Sequence, residues 1–113
     1  MCTIKYFITE TERKKWGTCF FEFQKGKYRG KCWLNDSLNL HADKFDEAGL
    51  YDLFSDAIED FYYYGVNVVN EEEWENLVEK SYKNDTWNEI IRELTPWVVE
   101  CFKRCKYFTI CGI

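Results

Sequence analysis

Cysteine and histidine are the residues of this chain that could support nucleophilic or metal chemistry, and their spacing argues against both. Cys101 and Cys105 stand four positions apart, as on one face of a helix, and Cys111 follows six residues later. Structural zinc sites usually pair such ligands twice over, and no matching second pair exists. A nucleophilic cysteine needs a base beside it, and nothing places a cysteine beside His41, the only histidine. We therefore predict no catalytic residue, no metal site, no cofactor and no enzymatic activity.

Carboxylates are concentrated in the middle of the chain. Residues 34–93 contain four basic and sixteen acidic side chains, a balance of −12, whereas residues 1–33 carry +5 and residues 94–113 carry +2. Such an uneven charge distribution attracts oppositely charged partners at long range. Because these carboxylates are predicted on solvated helix faces, they do not form the two walls of a glycosidase cleft. We predict that six of them bind a basic partner and call them the acidic surface: Asp52, Asp56, Glu59, Asp60, Glu72 and Glu75.

The basic residues near the N-terminus suggest a different ligand. Positive charge interleaved with aromatic rings binds single-stranded nucleic acid through phosphate contacts and base stacking. The chain as a whole is acidic, however, with a net charge of −5, whereas nucleic-acid-binding domains are usually basic. Nucleic-acid binding therefore stays an alternative, with these residues as its candidates: Phe20, Lys25, Lys27, Arg29, Lys31 and Trp33.

Alternating apolar residues predict that the chain begins mainly with strands. Lys25-Gly26 is typical of a tight turn and predicts a hairpin in which Cys19 faces Cys32 and Phe23 faces Tyr28. In that register the apolar pairs share one face. The strands are predicted over 2–9, 17–24, 27–32, 37–41 and, at the other end of the chain, 107–113.

The segment from Phe61 to Trp74 separates the strands from the helices. A helical apolar stripe begins at Leu50 and closes at Phe61, and Gly65 is a candidate for its C-terminal cap. Three valines after Gly65 predict a short strand. Asn70 and Glu73 have the spacing of a capping box, which begins a second helix.

A third helix is predicted to follow a second capping box. Thr86 and Glu89 have the required spacing, and an apolar stripe continues from there to Cys105. Pro96 interrupts this stripe, which predicts either a kink or a new helix beginning at Thr95.

These patterns predict a single α+β domain over residues 1–113, an antiparallel sheet of three to five strands with three to four helices packed on one face. The sheet combines N-terminal hairpins with a C-terminal strand. No apolar run approaches the length of a membrane span, and the six cysteines fit free thiols in a reducing compartment. We therefore expect a cytoplasmic protein.

Two functional hypotheses follow. The first is a small acidic binding protein, an inhibitor or immunity-type protein that occludes a basic partner such as a nuclease toxin. The second is a metal- or redox-dependent protein that uses Cys101, Cys105 and Cys111. The sequence leaves the partner open, and also whether the chain forms a homo-oligomer through exposed aromatic residues.

Overall fold

An antiparallel five-stranded sheet forms the centre of the structure, a computed structural model that describes residues 6–113. Across the sheet the strands run in the order β1-β3-β2-β5-β4. The C-terminal strand and the short valine-rich strand therefore both belong to the sheet, at its β5 and β4 positions. The strands are β1 (Phe7–Thr9), β2 (Phe20–Lys25), β3 (Leu38–His41), β4 (Val66–Asn70) and β5 (Tyr107–Cys111).

Five helices accompany the sheet, two of them short, and the predicted α+β class is confirmed. Among residues 6–113, none of the helices combines the length and the apolar character that crossing a membrane requires. The helices are α1 (Glu10–Arg13), α2 (Ala42–Glu47), α3 (Leu50–Ala57), α4 (Glu71–Ser81) and α5 (Asp85–Phe102).

The core lies between one face of the sheet and helices α2–α5. Phe21 of β2 stacks on Phe45 of α2 with 4.0 Å between ring centroids. Phe108 of β5 contacts Trp74 of α4 and Trp97 of α5 edge-on. Burying such rings contributes about 2–3 kcal/mol each, so this aromatic layer is the main reason the helices stay on the sheet.

The central strands are also buried on the other face of the sheet, where most of their residues are polar. The register places Asn39, Glu22 and Cys111 side by side on β3, β2 and β5. Gln24 and Thr109 form the next row. All five are less than 9% exposed, because the loop over residues 26–37 covers them.

The hairpin predicted around Lys25-Gly26 is wrong. β2 pairs with β3 and β5, and residues 27–32 form no strand. Gly26, Gly30 and Trp33 adopt positive φ angles of 80°, 85° and 64°, which are incompatible with an extended strand. Pairing with β3 places Leu40 opposite Phe21, where the predicted hairpin register offered only Gly30.

The predicted N-terminal strand is confirmed only in part. β1 begins at Phe7 and its first residue lies opposite Leu40 of β3. The prediction for residues 2–5 falls outside the described residues.

The helix predicted to end near Phe61 ends earlier. α3 stops at Ala57, and Asp60 has a positive φ of 55°, whereas Gly65 does not. The C-terminal cap predicted at Gly65 is therefore wrong. Glycine is needed there because a Cβ atom would clash with the ring of Tyr62.

The two predicted capping boxes have different outcomes. At α4 the box is confirmed, since the Glu73 N–H donates to Asn70 Oδ1 at 2.8 Å and the Asn70 N–H donates to Glu73 Oε1 at 3.1 Å. At α5 the cap is Asn84 rather than Thr86, because Asn84 Oδ1 accepts the N–H groups of both Thr86 and Trp87. α5 then runs without interruption through Pro96.

Candidate functional site

The acidic surface occupies the end of α3, the connection that follows and the first half of α4. Three of its six residues, Asp56, Glu59 and Glu72, line one open cleft of about 300 Å³, together with Glu73. The cleft lies where the end of α3 meets the first half of α4. Along the chain, β4 connects these two helices. The structure therefore brings half of the predicted residues together.

The remaining three residues are exposed but do not line the cleft. Asp52 lies on α3 and Glu75 on α4, and both side chains face solvent. Asp60 is exposed in the connection after α3. These residues extend the negative charge around the cleft without being part of its wall.

The carboxylates of this region divide into bonded and unbonded groups. Glu73 is structural, since its Oε2 accepts the Glu59 N–H at 3.1 Å in addition to closing the capping box. Asp56 pairs with Lys80 at 3.0 Å, at an exposed position. Within residues 6–113, no hydrogen bond or ion pair holds the carboxylates of the other five members of the acidic surface: Asp52, Glu59, Asp60, Glu72 and Glu75.

A second cluster of reactive groups lies on the polar face of the sheet. A carboxylate oxygen of Glu22 and the sulfurs of Cys32 and Cys111 lie within 4.8 Å of one another. Glu22 and Cys111 are cross-strand neighbours, and the covering loop brings Cys32 over them. We call these three residues the sheet cluster.

The three residues of the sheet cluster differ strongly in solvent exposure. Glu22 is 1% exposed and Cys111 6% exposed, whereas Cys32 faces solvent. Burial, followed by the nearby Cys32 and Glu22, raises the pKa of the Cys111 thiol to about 12. The hydroxyl of Tyr28 lies 4.0 Å from the Cys32 sulfur, and this contact raises the pKa of Tyr28.

The cysteines named in the second hypothesis do not converge. Cys101 donates to the Tyr107 carbonyl at 3.4 Å, and burial raises the pKa of its thiol. Cys101 and Cys105 line a different cleft, and only Cys111 belongs to the sheet cluster. Among the described residues, the sheet cluster is the single group of three or more cysteine, histidine, aspartate or glutamate side chains close enough to hold a metal ion.

The basic residues do not form a stacking platform. Phe20 is 4% exposed, and the ring of Trp33 is covered by the guanidinium of Arg13 at 3.9 Å. Lys25 and Arg29 instead line the cleft beside Arg104, so basic residues from the two ends of the chain meet there. Neither Phe20 nor Trp33, the two aromatic residues of the nucleic-acid alternative, therefore presents a fully open ring for base stacking.

His41 has a structural position at the start of α2. Its Nδ1 atom accepts the Asp43 N–H at 3.0 Å and caps the helix. Its ring lies edge-on to Phe20 with 4.9 Å between centroids. A side chain held in this way is not oriented as a base for a thiol.

Sequence reasoning missed the sheet cluster because it placed Cys32 in a strand, whereas Cys32 lies in the loop that covers the sheet. In the predicted hairpin Cys32 faced Cys19, and Cys111 was grouped with Cys101. The alternation of β5 carried a usable signal, since it puts Cys111 and Thr109 on the face opposite Phe108. Combined with the polar residues of β2, it could have indicated a polar sheet face.

Comparison with known proteins gives no further guidance, because no protein-family model, curated protein or solved structure matches the chain. The functional argument therefore depends on the geometry of these two regions.

Proposed function

We propose that this protein is a small non-catalytic binding protein whose acidic surface occludes a basic protein. An inhibitor or immunity-type protein that neutralises a nuclease toxin has this character, because the toxin's substrate cleft is itself positively charged. The cytoplasm is the compartment we propose, since the five described cysteines are free thiols, which persist under reducing conditions.

One observation carries the proposal: most carboxylates of the acidic surface have no structural task. Buried or capping carboxylates elsewhere in the chain are held by hydrogen bonds, as Glu93 is by the N–H groups of Tyr6 and Phe7. In the acidic surface only Asp56 is paired, with Lys80. Groups that the fold does not use remain available to an external cation.

The shape of the surface favours a protein partner over a free ion. Its cleft is open and shallow, and charges spread from Asp52 on α3 to Glu75 on α4 along two neighbouring helices. Close charge pairs across an interface contribute about 1.5–7 kcal/mol of coupling and accelerate association. A basic side chain entering the cleft would meet Asp56, Glu59 and Glu72 together.

The test is capture of partners from lysate by three forms of the chain. The first is the wild type, and the second is the triple variant Asp56→Asn/Glu59→Gln/Glu72→Gln. The third is a matched control in which the same number of carboxylates is neutralised at exposed positions outside the acidic surface: Glu47→Gln, Asp85→Asn and Glu100→Gln. Both variants change the net charge from −5 to −2, so they differ only in the position of the lost charge.

We expect one basic protein to bind the wild type and the control variant, and to be lost from the acidic-surface variant. High salt should weaken its binding, because exposed charges are screened over about 10 Å at 0.1 M ionic strength. Equal capture by both triple variants, or capture that salt does not affect, would contradict the proposal.

A metal-dependent role is the second candidate, and the convergence of the sheet cluster is the observation that favours it. This metal site would use Cys111, as the second hypothesis from the sequence did, but with Glu22 and Cys32 in place of Cys101 and Cys105. Because this cluster lies apart from the acidic surface, the two functions are not exclusive.

A further inference from the structure

We propose that the sheet cluster is a zinc-binding site in which Glu22, Cys32 and Cys111 are the three protein ligands. A carboxylate oxygen and two sulfurs lie within 4.8 Å of one another. Zinc accepts this combination of donors and, in sites that stay open, takes three protein ligands with water or another ligand in the fourth position. This inference is independent of the acidic surface and of any basic partner.

Glu22 is oriented as a metal-binding carboxylate usually is. Its Oε2 accepts hydrogen bonds from the Leu34 N–H and the Ser37 hydroxyl, both at 2.7 Å. Its Oε1 accepts only the amide of Gln24, at 3.0 Å, and keeps a lone pair free. Outer partners of this kind fix the direction of a ligating group.

No basic side chain among the described residues forms an ion pair with Glu22, although Arg13 is close enough to interact with its charge. Arg13 is the nearby basic side chain, but its guanidinium binds both oxygens of Glu10, at 2.7 and 2.6 Å. A buried charge without a partner is costly, and the effective penalty is several kcal/mol per ion. A bound divalent cation would remove that cost.

The two cysteines supply one fixed ligand and one adjustable ligand. Cys111 is held in β5, whereas Cys32 stands in the covering loop with its side chain exposed. Tetrahedral zinc places its ligand atoms roughly 3.5 Å apart, so the 4.8 Å arrangement must close by about 1 Å. An irregular loop can make that movement without disturbing the sheet, and its exposure gives the ion a route of entry.

The lining of the site contains further polar atoms without partners. Neither the Nδ2 nor the Oδ1 atom of Asn39 makes a hydrogen bond to a described residue, and Gln24 Oε1 makes none. Asn39 lies directly beside Glu22 in the sheet and is 0% exposed. Buried amides are normally satisfied, and here they are available to a water molecule or another ligand on the metal.

The donor set selects the type of metal. Thiolates disfavour Mg²⁺ and Ca²⁺, which prefer oxygen ligands, and a mixture of thiolate and carboxylate suits zinc. Binding must displace the thiol protons, because only thiolates ligate. Because zinc competes with these protons for the sulfurs, zinc affinity should rise as the pH increases.

The test is titration of the fully reduced, metal-free chain with Zn²⁺, and separately with Co²⁺ as a spectroscopic probe. Native mass spectrometry gives the number of Zn²⁺ ions bound, and the near-ultraviolet band of Co²⁺ reports thiolate coordination. The site variants are Cys32→Ser, which changes an exposed loop side chain, and Glu22→Gln. Matched controls are Cys19→Ser, an exposed cysteine outside the cluster, and Cys105→Ser, from the other cysteine pair. Circular dichroism of each metal-free variant identifies any that fails to fold.

We expect one Zn²⁺ ion per chain in the wild type and in both controls. Cys32→Ser should weaken binding more than about a hundredfold, beyond the loss typical of an outer partner, and should abolish the charge-transfer band from Cys32. The absence of Zn²⁺ binding by the folded wild type would overturn the proposal. So would unchanged affinity in Cys32→Ser, or a loss of binding that follows Cys105→Ser instead.

Discussion

The acidic surface and the sheet cluster both depend on carboxylates, but the structure treats those carboxylates in opposite ways. In the acidic surface Glu72 is exposed and makes no hydrogen bond or ion pair to a described residue, and its charge contributes to the fold only through the dipole of α4. In the sheet cluster Glu22 is 1% exposed and holds three groups of its surroundings in place. The first region suits long-range attraction of a partner, and the second suits short-range coordination of an ion.

This difference shows that the number of acidic residues in a segment does not identify its function. The exposed carboxylates dominate the charge of the chain, and a single buried carboxylate organises the covering loop. The two regions differ in the number of hydrogen bonds that each carboxylate accepts from its own chain.

Removing the buried carboxylate should therefore have the largest effect on stability. Glu22→Ala leaves the Leu34 N–H, the Ser37 hydroxyl and one amide hydrogen of Gln24 without their acceptor. Unsatisfied buried groups and hydrogen bonds to charge cost about 1–3 kcal/mol each, so we expect a net loss of about 3 kcal/mol in the free energy of unfolding. Urea unfolding with a chelator present measures it.

Glu72→Ala is the matched control for this loss. Its carboxylate is exposed in the first turn of α4, where the helix dipole contributes about 0.3–1 kcal/mol. Equal losses in the two variants would remove the distinction between the regions.

A pair of asparagines tests the same reasoning on the two faces of the sheet. Asn67 on β4 accepts the Tyr62 N–H at 2.7 Å and donates to the Tyr62 carbonyl at 2.9 Å, whereas the Asn39 side chain makes no hydrogen bond to a described residue. Asn67→Leu should lower the free energy of unfolding by about 2 kcal/mol, and metal-free Asn39→Leu should change it by less than about 1 kcal/mol.

Thermal and urea unfolding of both variants measure these two changes in the free energy of unfolding. If Asn39→Leu destabilises the chain as much as Asn67→Leu, the Asn39 amide is structurally engaged, and it no longer supports an open polar site.

The parts of the fold that follow from local pattern were predictable. The Asn70–Glu73 capping box is contained within four residues and is confirmed, and the stripe from Leu50 correctly predicts a buried helix face. The helix end was misplaced because the backbone leaves the helix at Ile58 and adopts a positive φ at Asp60. Ile58 and Phe61 are buried in either conformation, so the apolar spacing could not show where the helix ends.

The two candidate sites were predictable to different degrees, because one depends on local pattern and the other on contacts between distant parts of the chain. The acidic surface follows from residue type and helix period, so its exposure could be read from the sequence. The sheet cluster requires the pairing of β2 with β5, which are separated by most of the chain. It also requires the irregular loop with positive φ angles at Gly26, Gly30 and Trp33, which brings the Cys32 sulfur close to Glu22 and Cys111.

The most direct test of the proposed function is a titration of the captured basic protein with the wild type and the two triple variants over a range of salt concentrations. The proposal predicts that Asp56→Asn/Glu59→Gln/Glu72→Gln binds at least tenfold more weakly and with a shallower salt dependence, while unfolding at nearly the same urea concentration. A tenfold loss corresponds to about 1.4 kcal/mol, close to the lower end of the roughly 1.5–7 kcal/mol measured for close interfacial charge pairs. The control variant should match the wild type in affinity and in salt dependence. Equal affinity and equal salt dependence in both triple variants would show that the acidic surface is only a solvated face, and would contradict the proposed function.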